Sequence, residues 1–260
     1  MTTPQAHSAR TQLVQEALET AIHNHGFGLH YQAQNELKSQ QLIGFEALCR
    51  LHTETLGAVS PEEFIPLAES TGLICALERQ VLAQVAKDFP RLLARYPGVR
   101  VGVNLSARHL AADDFFSFIQ AWLDAQPASM VSQLDFEITE TNFQFISPQI
   151  VLGLEALRQR GIRIVMDDFG SGQSSLSRLH RLPFDVIKLD KQFAQQMDHP
   201  MVHAIVKAAI DFTHQFKLGL VIEGVETQKQ SQALQALGAE IAQGFLFGKP
   251  APLTHWLPSA

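Results

Sequence analysis

The chain has 260 residues, of which 46% are apolar and 18% charged, and its formal net charge at pH 7 is −6. This length can bury a substantial core, either in one barrel-sized domain or in two smaller domains. The negative charge argues against a general binder of nucleic acid polymers, which needs a basic surface to release counterions. A small phosphate ligand stays possible, because a bound metal ion can reverse the local field.

The chain has only two cysteines, Cys49 and Cys75, too few for a disulfide framework or a repeated zinc motif. Their scarcity indicates a reducing compartment. No apolar run approaches the roughly 18 residues of a membrane helix, and the first ten residues lack the apolar region of a signal peptide. We therefore expect a cytoplasmic protein with no membrane insertion by this domain.

The first ten residues are polar and are expected to form a disordered lead or linker, followed by a single domain over residues 11–260. Such a linker would join the domain to another one, for example a sensor. From Gln12 to Asn24 the apolar residues recur with the spacing of one helical face, which predicts a helix.

Beyond Asn24, short apolar runs alternate with helical patterns, which predicts βα units around a parallel sheet. The segment Ser60–Glu63 contains the serine, proline and glutamate of a helix start with a capping box. Further helices are predicted at Ser147–Gly161, Met201–Phe216 and Thr227–Leu237.

Seven strand-like runs end in, or are interrupted late by, polar side chains: Glu46, Asn104, Glu137, Asp167 with Asp168, Lys188, Glu223 and Gln243. One such residue is most simply a solvated strand end or a helix cap. Together they favour another interpretation, because the carboxyl ends of all strands of a parallel barrel converge on one face. The sequence therefore predicts a polar cup at that face.

Several acids in one cup would repel one another unless a cation neutralised them, and oxygen ligands favour Mg²⁺ or Mn²⁺ over zinc. Asp167 and Asp168 could hold a second ion, since two metals about 3.5–4 Å apart need a bridging carboxylate. By itself this pair is equally a turn and a helix cap. Lys188 ends an apolar run, and a buried ammonium needs an anionic partner, either a carboxylate cluster or a bound phosphate.

The order of these motifs resembles the EAL domain family, named for a tripeptide present here as Glu46–Ala47–Leu48. The likeness runs from about Leu29 to Pro252 and includes the motifs Tyr31–Gln32, Glu46–Arg50, Asn104–Ser106, Glu137–Glu140, Asp167–Gly172, Ile187–Asp190, Glu223–Thr227 and Gln243–Pro250. Residues Ala33, Leu51, Ile222 and Gln173 depart from the family pattern, and none of them is at a metal-ligand position.

The resemblance implies a modified TIM-type (β/α)8 barrel in which one strand is antiparallel. It also implies hydrolysis of cyclic di-GMP to linear pGpG by a water that two metal ions activate, and a homodimer with a fused or separate sensor domain. Mg²⁺ or Mn²⁺, two ions per site, would support the reaction. Ca²⁺ would bind and inhibit, because its longer bonds would spread the site.

Residue roles follow from the same resemblance. The implied metal ligands are Glu46, Asn104, Glu137, Asp167, Asp168 and Glu223, with Asp167 bridging the two ions. The implied catalytic residues are Lys188, Glu223 and Glu46; the substrate-binding residues are Gln32, Arg50 and Gln243. From its position three residues after Glu137, Glu140 is expected to anchor the loop that follows Asp168; the alternative is an exposed Glu140 that caps the next turn.

Two other interpretations compete with the phosphodiesterase. The chain could be a catalytically silent receptor or regulatory domain for cyclic di-GMP, or an unrelated divalent-metal barrel enzyme in which Lys188 is the base. The chain matches every ligand position and the lysine of the family pattern, which favours the phosphodiesterase.

Overall fold

The computed structural model describes residues 4–139, 147–171 and 182–257. Its ten strands are β1 (Phe27–Glu36), β2 (Leu42–Thr53), β3 (Gly57–Val59), β4 (Arg100–Asn104), β5 (Leu134–Thr139), β6 (Arg163–Phe169), β7 (Val186–Leu189), β8 (Gly219–Ile222), β9 (Ile241–Gln243) and β10 (Ala251–Pro252). Strands β1, β2 and β4 to β9 close into a ring.

Around this ring, β2 and β4 to β9 pair in parallel. Strand β1 is antiparallel to both of its ring neighbours, β2 and β9. Strands β3 and β10 pair with β2 and β1 outside the ring. The predicted modified barrel with one antiparallel strand is confirmed.

The described helices are α1 (Pro4–Asn24), α2 (Pro61–Thr71), α3 (Ile74–Arg95), α4 (Ala107–Leu110), α5 (Phe115–Asp124), α6 (Ala128–Val131), α7 (Pro148–Gln159), α8 (Lys191–Gln195), α9 (Pro200–Phe216), α10 (Gln228–Leu237) and α11 (Leu253–Trp256). Their apolar faces and those of the strands form one continuous core. None of these helices has the length and apolar character that a membrane crossing requires.

The barrel interior is layered, as the alternation of side chains along each strand requires. At the amino ends of the strands, Asp135 accepts hydrogen bonds from Arg100 and Arg163 at N–O distances of 2.7 and 2.9 Å. A small apolar layer of Val165, Val186 and Val221 lies above it, packed against Ile241. The acidic residues of the predicted cup lie above this layer, at the carboxyl ends.

Two long elements were not predicted from the sequence. Strand β1 points Gln32 and Gln34 toward the barrel interior, so its inward face lacks the apolar pattern of a strand. Helix α3 continues past Pro90, a residue that usually ends a helix because it has no N–H to donate.

Helix boundaries also differ locally from the predictions. Helix α1 begins at Pro4 rather than Gln12, and Arg10 forms an ion pair with Glu63 on α2, Nε to Oε1, at 2.7 Å. Ser60 precedes α2 as predicted, but its hydroxyl makes no capping hydrogen bond. A full capping box forms instead at the start of α10, between Thr227 and Gln230. The division of the chain at residue 10 stays a prediction.

The antiparallel strand is held to the helical layer by buried polar contacts. The Tyr31 hydroxyl donates to Asp88 Oδ2 at 2.9 Å, and Gln84 Nε2 donates to Asp88 Oδ1 at 2.9 Å. On the same side, the fully buried Phe45 ring contacts Tyr31 edge-on, with ring centroids 6.3 Å apart. The outward face of the barrel is therefore tied to α3 through a satisfied carboxylate.

We expect Tyr31→Phe to lower the free energy of unfolding by about 1–3 kcal/mol, because Asp88 Oδ2 would remain buried without this donor. The matched control is Tyr96→Phe, whose hydroxyl donates to the neutral carbonyl of Trp256 in a partly buried position. Urea unfolding of both variants measures the difference. Equal losses in the two variants would contradict the role given to the Asp88 contact.

Candidate functional site

Lys188 on β7 lies inside a ring of four carboxylates at the carboxyl ends of the strands. Its Nζ atom is 3.0 Å from Glu46 Oε2, 2.7 Å from Glu137 Oε2, 3.0 Å from Asp167 Oδ1 and 2.8 Å from Glu223 Oε1. The lysine side chain is 1% exposed. The carboxylates come from β2, β5, β6 and the residue after β8, so closure of the barrel brings them together.

One ammonium cannot neutralise this ring. If all four carboxylates were ionised, the single positive charge of Lys188 would leave an excess of negative charge in a buried site. An ammonium has three N–H donors, fewer than the carboxylates around it. Asp167 Oδ1 lies within ion-pair distance of Nζ but has no hydrogen bond from any described residue. This buried oxygen is available to a cation.

Burial, reinforced by the negative charge of neighbouring carboxylates, favours the protonated form of three acids of the ring. Burial raises the pKa of Glu137 well above its usual value and raises that of Asp167. Burial also raises the pKa of Glu223 to about 8. For Lys188, burial acts in the opposite direction, but the surrounding carboxylates hold its pKa well above the ordinary value. The lysine therefore stays charged, and a divalent cation would compete with protons for the acids.

Glu46 differs from the other acids of the ring. Burial favours its neutral form, yet Lys188, Gln243 and Asn104 together hold its pKa below the usual value. Asn104 Nδ2 donates to Oε1 at 2.9 Å, and Gln243 Nε2 donates to Oε2 at 2.6 Å. Both carboxylate oxygens of Glu46 are thus oriented by neighbouring side chains.

The acids form two groups that could each hold a cation. Glu46, Glu137 and Asp167 offer one oxygen each, all within 4.8 Å of one another, and so do Asp167, Asp168 and Glu223. Asp167 belongs to both groups. An all-oxygen set of this kind suits a hard divalent ion. The geometry therefore fits the residues expected to hold two ions, and the individual ligand roles stay predictions.

Asp168 is placed by an unusual backbone conformation. Its φ angle of 57° lies in the left-handed region, which aspartate tolerates better than most residues. Burial and the charge of Asp167 raise the pKa of Asp168 to about 6. The irregularity within β6, between Met166 and Phe169, thus lets the adjacent carboxylates of Asp167 and Asp168 reach the same site.

Gly102 on β4 provides the space that Glu137 occupies. A Cβ atom added at residue 102 would lie 1.9 Å from Glu137 Oε1. Two residues further on, Asn104 ends the strand, and the Leu105 N–H donates to the Glu137 carbonyl at 2.8 Å. Because residue 102 has no side chain, the Glu137 carboxylate of β5 can lie against β4.

Two cavities flank Glu46. One, of about 270 Å³, is lined by Arg50, Asn104 and Asp168 and extends to α2 and α3. The other, of about 250 Å³, is lined by Gln32, Gln243 and Phe245, among others. An elongated ligand bound across the acids would therefore extend into space on both sides.

The predicted substrate-binding residues lie on different walls. Arg50 is half-buried and donates through Nη1 to the Cys49 carbonyl at 2.9 Å. Gln243 is 4% exposed, and its amide is engaged by side chains of the barrel. Glu140, the predicted loop anchor, and Gln173 lie outside the described residues.

Sequence reasoning did not identify Gln34 as part of the site. This residue is 7% exposed and donates through Nε2 to Gln243 Oε1 at 3.0 Å. The spacing of Gln32 and Gln34 was a usable signal, because residues two apart on a strand share a face. This spacing can be used only if the segment is already known to be a strand.

The chain is thus an α/β barrel with a buried acidic cup, able to hold a cation, at the carboxyl ends of its strands. Residues 15–250 match the sequence profile of the EAL domain. The chain belongs to the EAL domain family.

Curated relatives and solved structures agree with this assignment. The chain is 35% identical over 246 residues to the cyclic di-GMP phosphodiesterase NbdA of Pseudomonas aeruginosa, covering 92% of this chain and 31% of the relative. The chain spans about a third of the length of the curated relatives it matches.

Among solved structures, the phosphodiesterase PaMucR in complex with c-di-GMP superimposes with a TM-score of 0.85 at 33% identity, covering 94% of this chain and 99% of that one. The EAL domain of FimX from Pseudomonas aeruginosa, bound to c-di-GMP, has a TM-score of 0.79 at 25% identity, with coverage of 92% and 96%.

We expect Gly102→Ala to weaken Mg²⁺ binding by about 10- to 100-fold, as losses next to metal ligands typically do, because the added methyl group displaces the Glu137 carboxylate. The matched control is Gly28→Ala on β1, where an added Cβ meets nothing within 4 Å. Isothermal titration with Mg²⁺ compares the two variants. Parent-like Mg²⁺ affinity in Gly102→Ala would show that Glu137 does not need this space.

Proposed function

We propose that the protein hydrolyses cyclic di-GMP to linear pGpG in a reaction that depends on Mg²⁺ or Mn²⁺, two ions per site. The observation that supports this proposal is the pair of oxygen groups sharing Asp167, with Lys188 beside them. The names of the relatives NbdA and PaMucR identify phosphodiesterases, and PaMucR holds c-di-GMP. Family membership counts against an unrelated barrel enzyme.

The residues that would hold the cations are Glu46, Asn104, Glu137, Asp167, Asp168 and Glu223. When bound, divalent ions lower the pKa of water and offset negative charge on phosphate. Arg50 would contact the phosphate, because its planar fork of N–H donors matches two oxygens. Gln32 and Gln243 would contact the nucleotide from the other cavity.

The chain's own groups would direct the chemistry. Lys188, fixed by the surrounding carboxylates, would align the attacking water and stabilise the charge that develops on the phosphoryl oxygens. Glu46 and Glu223 would keep that water in place from either side. Attack on phosphorus forms one P–O bond and breaks the bond to the 3′ oxygen. The 3′ oxygen leaves with a proton from the water, giving a 5′ phosphate and a 3′ hydroxyl.

Homodimerisation and a fused or separate sensor domain belong to the same proposal. The N-terminal helix α1 provides a physical route for such input, since it contacts α2 through the Arg10–Glu63 ion pair. Residues Pro61, Ile65 and Glu69 of α2 line the larger of the two cavities beside Glu46. A movement of α1 would therefore reach the wall of the proposed substrate site.

The direct test is to incubate the purified protein with cyclic di-GMP and Mg²⁺ or Mn²⁺ and to resolve the products chromatographically. We expect linear pGpG from the parent protein and none from Glu46→Ala, which removes both carboxylate oxygens of Glu46 from the acidic cup. Tight binding of the dinucleotide by the parent, with no product, would instead establish the silent receptor.

Lys188→Met should lower kcat by about 100-fold or more while changing dinucleotide affinity little, because charge stabilisation matters most in the transition state. The substitution keeps an unbranched apolar side chain as far as Cε, with sulfur in place of Cδ, and removes the ammonium. Steady-state kinetics in saturating Mg²⁺, with binding measured separately in Ca²⁺, separate the two effects. A parallel fall in rate and affinity would make Lys188 a ground-state phosphate contact.

Calcium should bind the acidic cup without supporting hydrolysis, and it should inhibit in the presence of Mg²⁺. Its bonds to oxygen, about 2.3–2.6 Å against about 2.1 Å for Mg²⁺, would spread ligands that share Asp167. Rates measured over a Ca²⁺ series at fixed Mg²⁺ give the inhibition. Equal turnover with calcium and magnesium would contradict a closely spaced site.

A further inference from the structure

Gln34 is a buried amide whose partners connect it to the acidic cup. It lies on the antiparallel strand β1, in register with Gln243 on β9 and with Gly44 on β2. A Cβ atom at residue 44 would lie 3.0 Å from Gln34 Oε1, so the glycine leaves room for this side chain. The site of Gln34 is therefore formed by both strands that flank β1.

A chain of amides runs from Gln34 to Glu46. Gln34 Nε2 donates to Gln243 Oε1 at 3.0 Å. Gln243 Nε2 in turn donates to Gln32 Oε1 at 3.1 Å and to Glu46 Oε2 at 2.6 Å. All four side chains are less than a tenth exposed. Each link therefore operates largely out of contact with water.

The direction of the hydrogen bonds in this chain follows from which groups can donate and which can accept. An ionised Glu46 carboxylate accepts hydrogen bonds and donates none, so Gln243 must present its NH₂ group to it. The Gln243 carbonyl oxygen then points the other way, into the barrel wall. A buried acceptor without a donor costs about 1–3 kcal/mol, and Gln34 supplies that donor. The orientation of the Gln243 amide thus depends on an acceptor at one end and a donor at the other.

We propose that Gln34 is a positioning residue that fixes the Gln243 amide and, through it, the Glu46 carboxylate for cation binding. The proposal rests on the cation site of the proposed function. Glu46 Oε2 also accepts from Lys188 Nζ at 3.0 Å, so the amide and the ammonium hold the same oxygen from two sides. Without the amide, the carboxylate would be held at this oxygen by the lysine and would turn toward it.

The test is direct Mg²⁺ titration of the full chain by calorimetry, without substrate, for the parent, Gln34→Met, Gln243→Met and the double variant. We expect Gln34→Met to weaken Mg²⁺ binding by about tenfold, at the lower end of the range for groups that orient metal ligands. Because Gln34 acts through Gln243, the double variant should bind Mg²⁺ no more weakly than Gln243→Met alone.

The control is Gln84→Met on α3, which removes an amide donor to the buried Asp88 at a distance from the cup. This variant should lose stability in urea but keep the parent Mg²⁺ affinity. Parent-like Mg²⁺ affinity in Gln34→Met would overturn the proposal, and so would an additive loss in the double variant. Failure to hydrolyse cyclic di-GMP, with these binding differences intact, would overturn the proposed function and leave the role of Gln34 standing.

Discussion

The arrangement of the site depends on one buried interaction, the ammonium of Lys188 within 3.0 Å of four carboxylates. A buried ion pair is stable only where its charges are matched and its hydrogen bonds are satisfied. Here the negative groups outnumber the positive one. The charge of this site can be completed either by protons on the acids or by added cations. Burial, reinforced by the charges of neighbouring acids, raises the pKa values of Glu137, Asp167 and Glu223.

The lower layers of the barrel separate the acidic cup from the charged groups at the other end. Beneath the acids lies an apolar layer of Val165, Val186 and Val221, and beneath it Asp135 is neutralised by Arg100 and Arg163. Charged groups at the two ends are therefore separated by side chains that offer no polar contact. Electrostatic interactions among the acids and Lys188 are strong because the buried surroundings have a low dielectric constant.

The antiparallel strand contributes neutral groups where its neighbours contribute charged ones. Strand β1 supplies Gln32 and Gln34, and β9 supplies Gln243, so one sector of the ring is made of amides. A side-chain amide donates hydrogen bonds through its NH₂ group and accepts them through its carbonyl oxygen. The orientation of one amide therefore fixes the orientation of the next. Lys188, together with the amides of Gln243 and Asn104, holds the pKa of Glu46 below its usual value, whereas burial raises the pKa of Glu137 and of Asp167. Family membership, shown over residues 15–250, places this arrangement in a group that includes named cyclic di-GMP phosphodiesterases.

The sequence by itself determined the fold class and the polar members of the cup. Apolar runs that end in Glu46, Asn104, Glu137, Asp167, Lys188, Glu223 and Gln243 are visible without coordinates, because a buried strand contrasts sharply with a polar end. The order of the motifs identified the family. These signals are local, or they depend only on the order of motifs along the chain.

Only the tertiary structure decided which of these groups are in contact. It also identified residues that make the contacts possible although no sequence pattern marks them. Gln243 and Gln32 are 211 residues apart and meet because β1 closes the ring in the opposite direction to its neighbours. Gly102 matters because Glu137 occupies the volume its side chain would fill. Gln34 lies in a segment without an apolar inner face, and only closure of the barrel makes it a buried donor to Gln243. Such contacts form only when strands that are distant in sequence pack together, so the sequence pattern within each strand does not predict them.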